Sequence, residues 1–182
     1  MEKTRLLLSV AKAAARDASE IIMQAQYSDH EVSNKSTITD LVTNTDKNAE
    51  RAIKEDIITN FPNHGILAEE SEEISSNSEY QWVIDPLDGT TNFVHGLSPF
   101  CVSIALLKNH QPFIGVVSEL PVGNLFWAVS NEGAYCNGKP INVSTTKIIS
   151  KALLITGFAY EHNTKWETVS YTHLTLPTIL LV

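Results

Sequence analysis

The segment WVIDPLDGTTN, Trp82 to Asn92, sets two aspartates three residues apart where an apolar run gives way to Pro, Gly and two Thr. Carboxylates are hard oxygen ligands. With Pro86 fixing its own φ, one tight turn can aim Asp85, Asp88 and the Leu87 carbonyl at a single point. Such donors, with no His or Cys cluster beside them, suit Mg²⁺, Mn²⁺ or Ca²⁺ better than zinc. Gly89 has no side chain to hold a ligand off, and Thr90 and Thr91 stand near the start of a helical turn whose backbone N–H groups favour an anion. Metal ligands next to a phosphate cradle suggest metal-assisted phosphoryl chemistry, in which cations polarise the ester and lower the pKa of an attacking water. A further pair of acids, Glu69 and Glu70, closes the preceding apolar run. Taken alone, D-P-x-D-G reads more readily as a solvated acidic turn. The AEES upstream and TTN downstream favour a site, and the regular D-x-D-x-D-G spacing of an EF-hand is absent.

Several elements must position these residues. Apolar residues at helical spacing (Leu6, Val10, Ala13, Ala14, Ile21, Ala25) predict an amphipathic helix from Lys3 to about Gln26. A polar segment follows. Asn44 or Thr45 then offers an N-cap for a second helix carrying Ala49, Ala52, Ile53 and Ile57, which Pro62 stops. GILAEES and YQWVIDP read as strands delivering their acids to one edge of a sheet, joined by the polar loop SEEISSNSE. After a short helical stretch near Thr91 to His95, the runs FCVSIALLK, FIGVVSEL, LFWAVS and GAYCNGKPINVS, punctuated by NHQP, PVGN, NEG and NGKP, predict an antiparallel meander. KALLITGF reads as one more strand. Trp82, Trp127 and the phenylalanines read as core.

Composition narrows the function. A net charge of -8 with only 13 Lys and Arg argues against a nucleic-acid binder. No run is apolar and uninterrupted enough to span a membrane or serve as a signal core, so a cytoplasmic location and no membrane partner are expected. Cys101 and Cys136 lack metal-site spacing and read as buried reduced thiols. The six histidines are scattered, and His95 reads as structural or substrate-adjacent.

The segments DLVTNTD (Asp40 to Asp46), GILAEES (Gly65 to Ser71), WVIDPLDGTTNFVHG (Trp82 to Gly96) and GAYCNGKPINVS (Gly133 to Ser144) occur in order. Together they resemble the inositol monophosphatase family of Mg²⁺-dependent, lithium-sensitive sugar phosphatases. The resemblance implies an α+β fold, the N-terminal half of the sugar phosphatase fold, with a large antiparallel sheet and two long helices. It implies that Glu69, Asp85 and the Leu87 carbonyl hold a first metal and that Asp85 and Asp88 hold a second. Glu69 would help hold a third, weaker one. Thr90, supported by Asp46, would orient the attacking water, and the Gly89 and Thr90 amides would hold phosphate, with Asp88 beside the substrate. Glu70 would act from behind these ligands, and Lys35 and Asp40 would lie on a loop over the site. A lone Lys in a polar segment is otherwise solvated surface, and Asp46 in a first helical turn also suits the helix dipole.

The same resemblance divides the chain. Residues 1–150 form an N-terminal α+β metal-binding domain, and 151–168 begin a C-terminal α/β domain whose remainder is missing. By the resemblance, that remainder would include a W-D-x-[AS]-A-G type motif completing the second metal site. Residues 169–182, VSYTHLTLPTILLV, contain no Asp, Glu, Lys or Arg and read as a non-native tail translated from a sequencing adapter. The expected function of the parent is hydrolysis of a small phosphorylated polyol or sugar, inositol monophosphate foremost, with Mg²⁺ as cofactor and a homodimer as the assembly. The truncated chain is expected to be inactive. Fructose-1,6-bisphosphatase, histidinol-phosphate phosphatase and 3′-phosphoadenosine nucleotidase activities, or a noncatalytic metal-binding or interaction fragment, are the alternatives.

Overall fold

A computed structural model describes residues 2–26, 32–34 and 41–153. Lys35, Asp40, most of the KALLITGF run and the tail at 169–182 lie outside the described residues. In chain order the elements are helix α1 (Glu2–Ala25), strands β1 (Val32–Asn34) and β2 (Leu41–Thr43), helix α2 (Asn44–Asn60), strands β3 (Gly65–Ala68) and β4 (Tyr80–Asp88), and the short helix α3 (Thr90–Val94). Strands β5 (Phe100–Lys108), β6 (Gln111–Leu120), β7 (Asn124–Val129), β8 (Gly133–Cys136) and β9 (Lys139–Ile141) follow, then a 3₁₀ turn at Ile149–Lys151.

Strands β3 to β9 form one sheet in sequence order. The expected antiparallel meander runs from β4 to β9, but β3 lies parallel to β4, so the sheet is mixed. The reason lies in the polar segment between the two strands. It is long enough to carry the chain back to the starting edge, as a parallel connection requires. An isolated bridge between Ile66 and Ile74 fastens that return to β3. GAYCNGKPINVS is a hairpin of two strands, turning at Asn137 (φ 49) and Gly138 (φ 78), the pair of left-handed residues that a tight hairpin turn demands.

The helices cover one face of the sheet. On α1 the buried stripe is Leu7, Ala11, Ala14, Ala15, Ala18 and Ile22, whereas Leu6 and Ala13, expected inside, are exposed. Adjacent apolar residues along LLLSVAKAAA permit two overlapping stripes, and only packing chooses between them. The stripe meets Ala49, Ile53 and Ile57 of α2 and the inward residues Trp82, Ile84, Val102, Ile104, Leu106, Ile114 and Val116 of the sheet. Its alanines let helix and sheet approach closely. At the rim, Lys12 Nζ sits 3.5 Å from the centroid of the Trp127 ring, which stacks on Tyr135 at 4.0 Å. Trp127 is therefore part of the core's edge and is not fully enclosed. Cys101 and Cys136 are free but only half-buried, because both lie on the sheet face turned away from the helices or at its far edge.

Where the two helices meet, Asp56 of α2 faces Asp17 of α1. Burial first, then the charge of Asp17 and a hydrogen bond with it, then Glu55, raise the Asp56 carboxyl above its usual 3.8. A raised carboxyl is a folded state that binds its proton more tightly than the unfolded chain. The penalty is therefore absent below the unfolded value and complete above the folded one. Asp56→Asn is expected to raise the melting temperature at pH 7, with the gain shrinking to nothing as the pH is lowered past about 3.9. Calorimetric melts of both forms across that range check it.

Candidate active site

Asp85 and Asp88 both belong to β4, which runs on through the predicted turn. In a regular strand, residues three apart point to opposite faces. Here the pairing with β5 passes from Asp85↔Ser103 to Asp88↔Cys101, so β4 carries one residue more than its partner in this interval. This β-bulge is built around Pro86, which has no N–H to lose from the ladder. Inserting one residue restores the alternation, so both carboxylates emerge on the face away from the helices while Leu87 turns into the core at 1% exposure. The backbone N–H of Leu87 donates to Asp85 Oδ1 at 3.2 Å and holds the carboxyl over the bulge.

Parallel pairing supplies the next acid. Ala68 is in register with Ile84, so the residue after β3, Glu69, arrives level with Asp85. The two carboxyls hydrogen-bond. Burial, the Glu69 charge, that hydrogen bond and the more distant Asp88 push Asp85 up to about 7, against a smaller opposing pull from the Leu87 amide. Two carboxylates forced together at a partly buried strand end hold a proton between them or share a cation. The donor set, all hard oxygen, fits a divalent cation of the Mg²⁺ type. Among the described residues no group of three His, Cys, Asp or Glu side chains converges in a metal-binding cluster. The carboxylate contact here is a pair, Asp85 with Glu69, and Asp88 instead accepts a long contact from Cys101 Sγ at 3.7 Å. Burial, with the charges of Asp88 and Asp85, pushes the Cys101 thiol up to about 12, so it stays a donor.

Beyond the bulge, Gly89 adopts φ 89 and begins α3. A Cβ there would stand 3.2 Å from Phe100 Cβ and 3.3 Å from the Pro99 carbonyl, so neither the conformation nor the space suits another residue. The next residue, Thr90, places its hydroxyl 3.0 Å from Asp46 Oδ1 and 3.0 Å from the Leu87 carbonyl. One hydroxyl proton serves one of these acceptors at a time. Asp46 is 1% exposed, and its other oxygen accepts from the Thr43 amide at 2.9 Å and the Thr43 hydroxyl at 2.5 Å.

Thr43 is the N-cap of α2, not Asn44 or Thr45. Its hydroxyl accepts from the Thr45 and Asp46 amides at 3.1 and 3.4 Å while Asp46 reaches back, a complete capping box. The T-x-x-D pattern was the signal that would have found it. Asp46 thus keeps both its helix-end position and its reach to Thr90. The polar segment before α2 also contains the short antiparallel pair β1–β2, which the sequence did not announce.

Glu70 is half-buried, and its backbone N–H donates to Glu50 Oε2 at 2.7 Å. His95 caps the C-terminal end of α3, where its N–H reaches the Thr91 carbonyl at 3.2 Å, a structural position. Beside the loop lies an open cleft of about 720 Å³, lined in part by Asp88, Gly89, Asn92, Cys101 and Glu119. That volume is in the range of small-molecule sites.

A sequence profile of the inositol monophosphatase family matches residues 3–176. The chain belongs to the inositol monophosphatase family. It is 44% identical over 169 residues to the chloroplastic phosphatase IMPL1 of Arabidopsis thaliana, a match covering 89% of this chain and 45% of that protein. It is 41% identical to the inositol-1-monophosphatase of Synechocystis sp., over 92% of this chain and 61% of the relative. The solved inositol monophosphatase from Anabaena (Nostoc) sp. superposes with a TM-score of 0.75 at 39% identity, covering 87% of this chain and 57% of that one. The chain therefore spans about half the length of the relatives it matches, and its fold is that of the corresponding part of the family. Among the described residues no helix is long and apolar enough to cross a membrane.

Proposed function

We propose that the whole protein hydrolyses a small phosphate monoester, inositol monophosphate foremost, with Mg²⁺ as its cation. The observation that carries this reading is the hydrogen-bonded chain Thr43–Asp46–Thr90–Leu87 standing beside the Asp85–Glu69 pair. In this reading Glu69, Asp85 and the Leu87 carbonyl hold one cation, Asp85 and Asp88 a second, and Glu69 part of a third. When bound, such cations neutralise phosphate oxygens and lower the pKa of water.

The chain's own residues do the positioning. When Thr90 donates its proton to Asp46, its lone pairs are left to accept from a water and hold it in line with phosphorus. Asp46, closed from behind by Thr43, cannot swing away. The Gly89 and Thr90 amides take the phosphate, and the missing Cβ at Gly89 lets it approach the backbone. Asp88, on the exposed end of β4, faces the substrate. Glu70 supports this set from behind, and Lys35 and Asp40 belong to a loop over it. Residues 1–150 are the metal-binding domain, with 151–168 leading into a second α/β domain that completes the site in a homodimeric, cytoplasmic protein. The free thiols fit a reducing compartment.

The test is phosphate release by the full-length protein, with and without Mg²⁺, from inositol monophosphate, fructose 1,6-bisphosphate, histidinol phosphate and 3′-phosphoadenosine nucleotides. Mg²⁺-dependent turnover fastest on inositol monophosphate is expected. Equal rates with and without the cation would overturn the reading, and a faster second substrate would reassign it. The 182-residue chain assayed alongside is expected to show little turnover. It spans only about half the length of its relatives, and Val143, Ile148, Ile149 and Leu153 are exposed apolar residues in want of cover.

A further inference from the structure

Glu50 lies in the middle of α2, 3% exposed, and no part of the proposed chemistry uses it. Burying a carboxylate is costly unless its oxygens are satisfied, and a residue inside a helix owes nothing to its own backbone. Both oxygens are spent on the segment that follows β3. Oε2 accepts from the Glu70 backbone N–H at 2.7 Å, and Oε1 accepts from the Ser71 hydroxyl. Lys54, one helical turn on, stands 4.0 Å from Oε1 and donates to the same Ser71 oxygen at 2.7 Å. The carboxylate, the hydroxyl and the ammonium thus close a small charge-assisted network across two elements.

The backbone that this network grips needs an anchor. β3 ends at Ala68, and the chain is next tied to the sheet by the Ile66–Ile74 bridge, with backbone bonds of 2.9 and 2.8 Å. Glu69 lies in the bend between, beyond the last residue of β3 in register with β4, yet its carboxyl must meet Asp85 from the neighbouring strand. From these contacts we infer that Glu50 is a positioning residue for Glu69: by clamping the Glu70 amide and the Ser71 hydroxyl to α2, it sets the direction in which Glu69 leaves the sheet, and so the affinity of the Asp85–Glu69 pair for a divalent cation. This rests on the metal reading given above. It adds a residue that touches neither cation nor substrate and acts through two bonds to the backbone arm. Supporting partners of this kind commonly change metal affinity about 10- to 100-fold when removed.

The experiment compares wild-type full-length protein with Glu50→Ala and Glu50→Gln. Mn²⁺ binding is followed by electron paramagnetic resonance in the absence of substrate, and amide exchange is followed in the metal-free protein over residues 66–74. Glu50→Ala is expected to weaken Mn²⁺ binding about 10-fold or more, with faster exchange at the Glu70 amide. Glu50→Gln keeps the volume and one acceptor for that amide, so it should restore most of the protection and show a smaller loss of affinity. If Glu50→Ala does not fold, Glu50→Gln and Ser71→Ala carry the same comparison. A lowered melting temperature with unchanged Mn²⁺ affinity and unchanged Glu70 exchange would reduce Glu50 to packing and overturn the inference. Should the wild-type protein bind no Mn²⁺, the metal reading falls, and exchange at Glu70 alone decides whether Glu50 holds the arm.

Discussion

Replacing Asp85 by Asn in the full-length protein is expected to reduce Mg²⁺-dependent phosphate release about 1,000-fold while leaving the fold intact. The two halves of this expectation have separate physical causes. Asn is nearly isosteric, and its amide oxygen can still accept the Leu87 N–H that now reaches Asp85 Oδ1 at 3.2 Å, so the bulge keeps its shape. What goes is a charge that both proposed cation positions share. Several kcal/mol of transition-state stabilisation depends on such charge, and each ~1.4 kcal/mol is tenfold in rate. Stability should not fall in step. Burial and the Glu69 carboxylate already oppose a charge at Asp85, so a neutral amide there removes a repulsion. Turnover at saturating Mg²⁺ and a thermal melt on the same preparation check both halves. Retention of a tenth or more of wild-type turnover would remove Asp85 from the chemistry.

Trp82→Ala is expected to have the largest effect on stability. Trp82 is fully buried on β4, three residues before Asp85, with its ring against Phe61 and His64 and its Nε1–H donating to His64 Nδ1 at 3.1 Å. Truncating a core Trp costs about 3–5 kcal/mol. For a protein of this size or larger, that corresponds to a fall in melting temperature of about 10 °C. The loss has a polar part, because His64 would be left with an unpartnered ring nitrogen. Burial and the nearby Lys3 lower the His64 pKa, against a smaller opposing effect of Glu79, which favours the neutral ring that can accept this bond. A depressed His contributes stability that is present above its unfolded value and lost as the pH falls through the folded one. Trp82→Phe, which keeps most of the buried ring, should lose less at pH 8 than Trp82→Ala. A melt of Trp82→Ala within 2 °C or so of wild type would contradict the packing account.

Much of this site could be read in the chain because its chemistry is local. Asp85, Leu87, Asp88, Gly89 and Thr90 are consecutive or nearly so, and the hard-oxygen character of the proposed ligands follows from residue type alone. The helix at α2 was legible from Ala49, Ile53 and Ile57 and ended as expected before Pro62. Its start was misplaced, because Thr43, Asn44 and Thr45 are all plausible caps until the reach of Asp46 back to Thr43 selects one. The strand expected to stop at the motif instead runs through it. A one-residue bulge has no compositional mark except a proline, and a proline also marks an ordinary turn.

The contacts of Glu50 and Cys101 were not legible for a different reason. Glu50 looks like one acid among many on a charged helix, and its meaning lies in Glu70, twenty residues away in sequence. Cys101 reads as a buried reduced thiol until β5 is paired with β4 and its thiol lies 3.7 Å from Asp88. Residue types and short-range spacing thus specified what the site is made of: oxygen ligands, a hydroxyl, and a glycine where nothing larger fits. They also specified most of the helices and strands, through periodicities that a few neighbours suffice to express. Where those side chains stand depended on two facts of assembly, the parallel register that sets Ala68 beside Ile84 and the bulge that turns Asp85 and Asp88 to the same face. Both are choices between pairings of distant segments, stabilised by burial over the whole sheet, and no short window of sequence contains the energy that makes them.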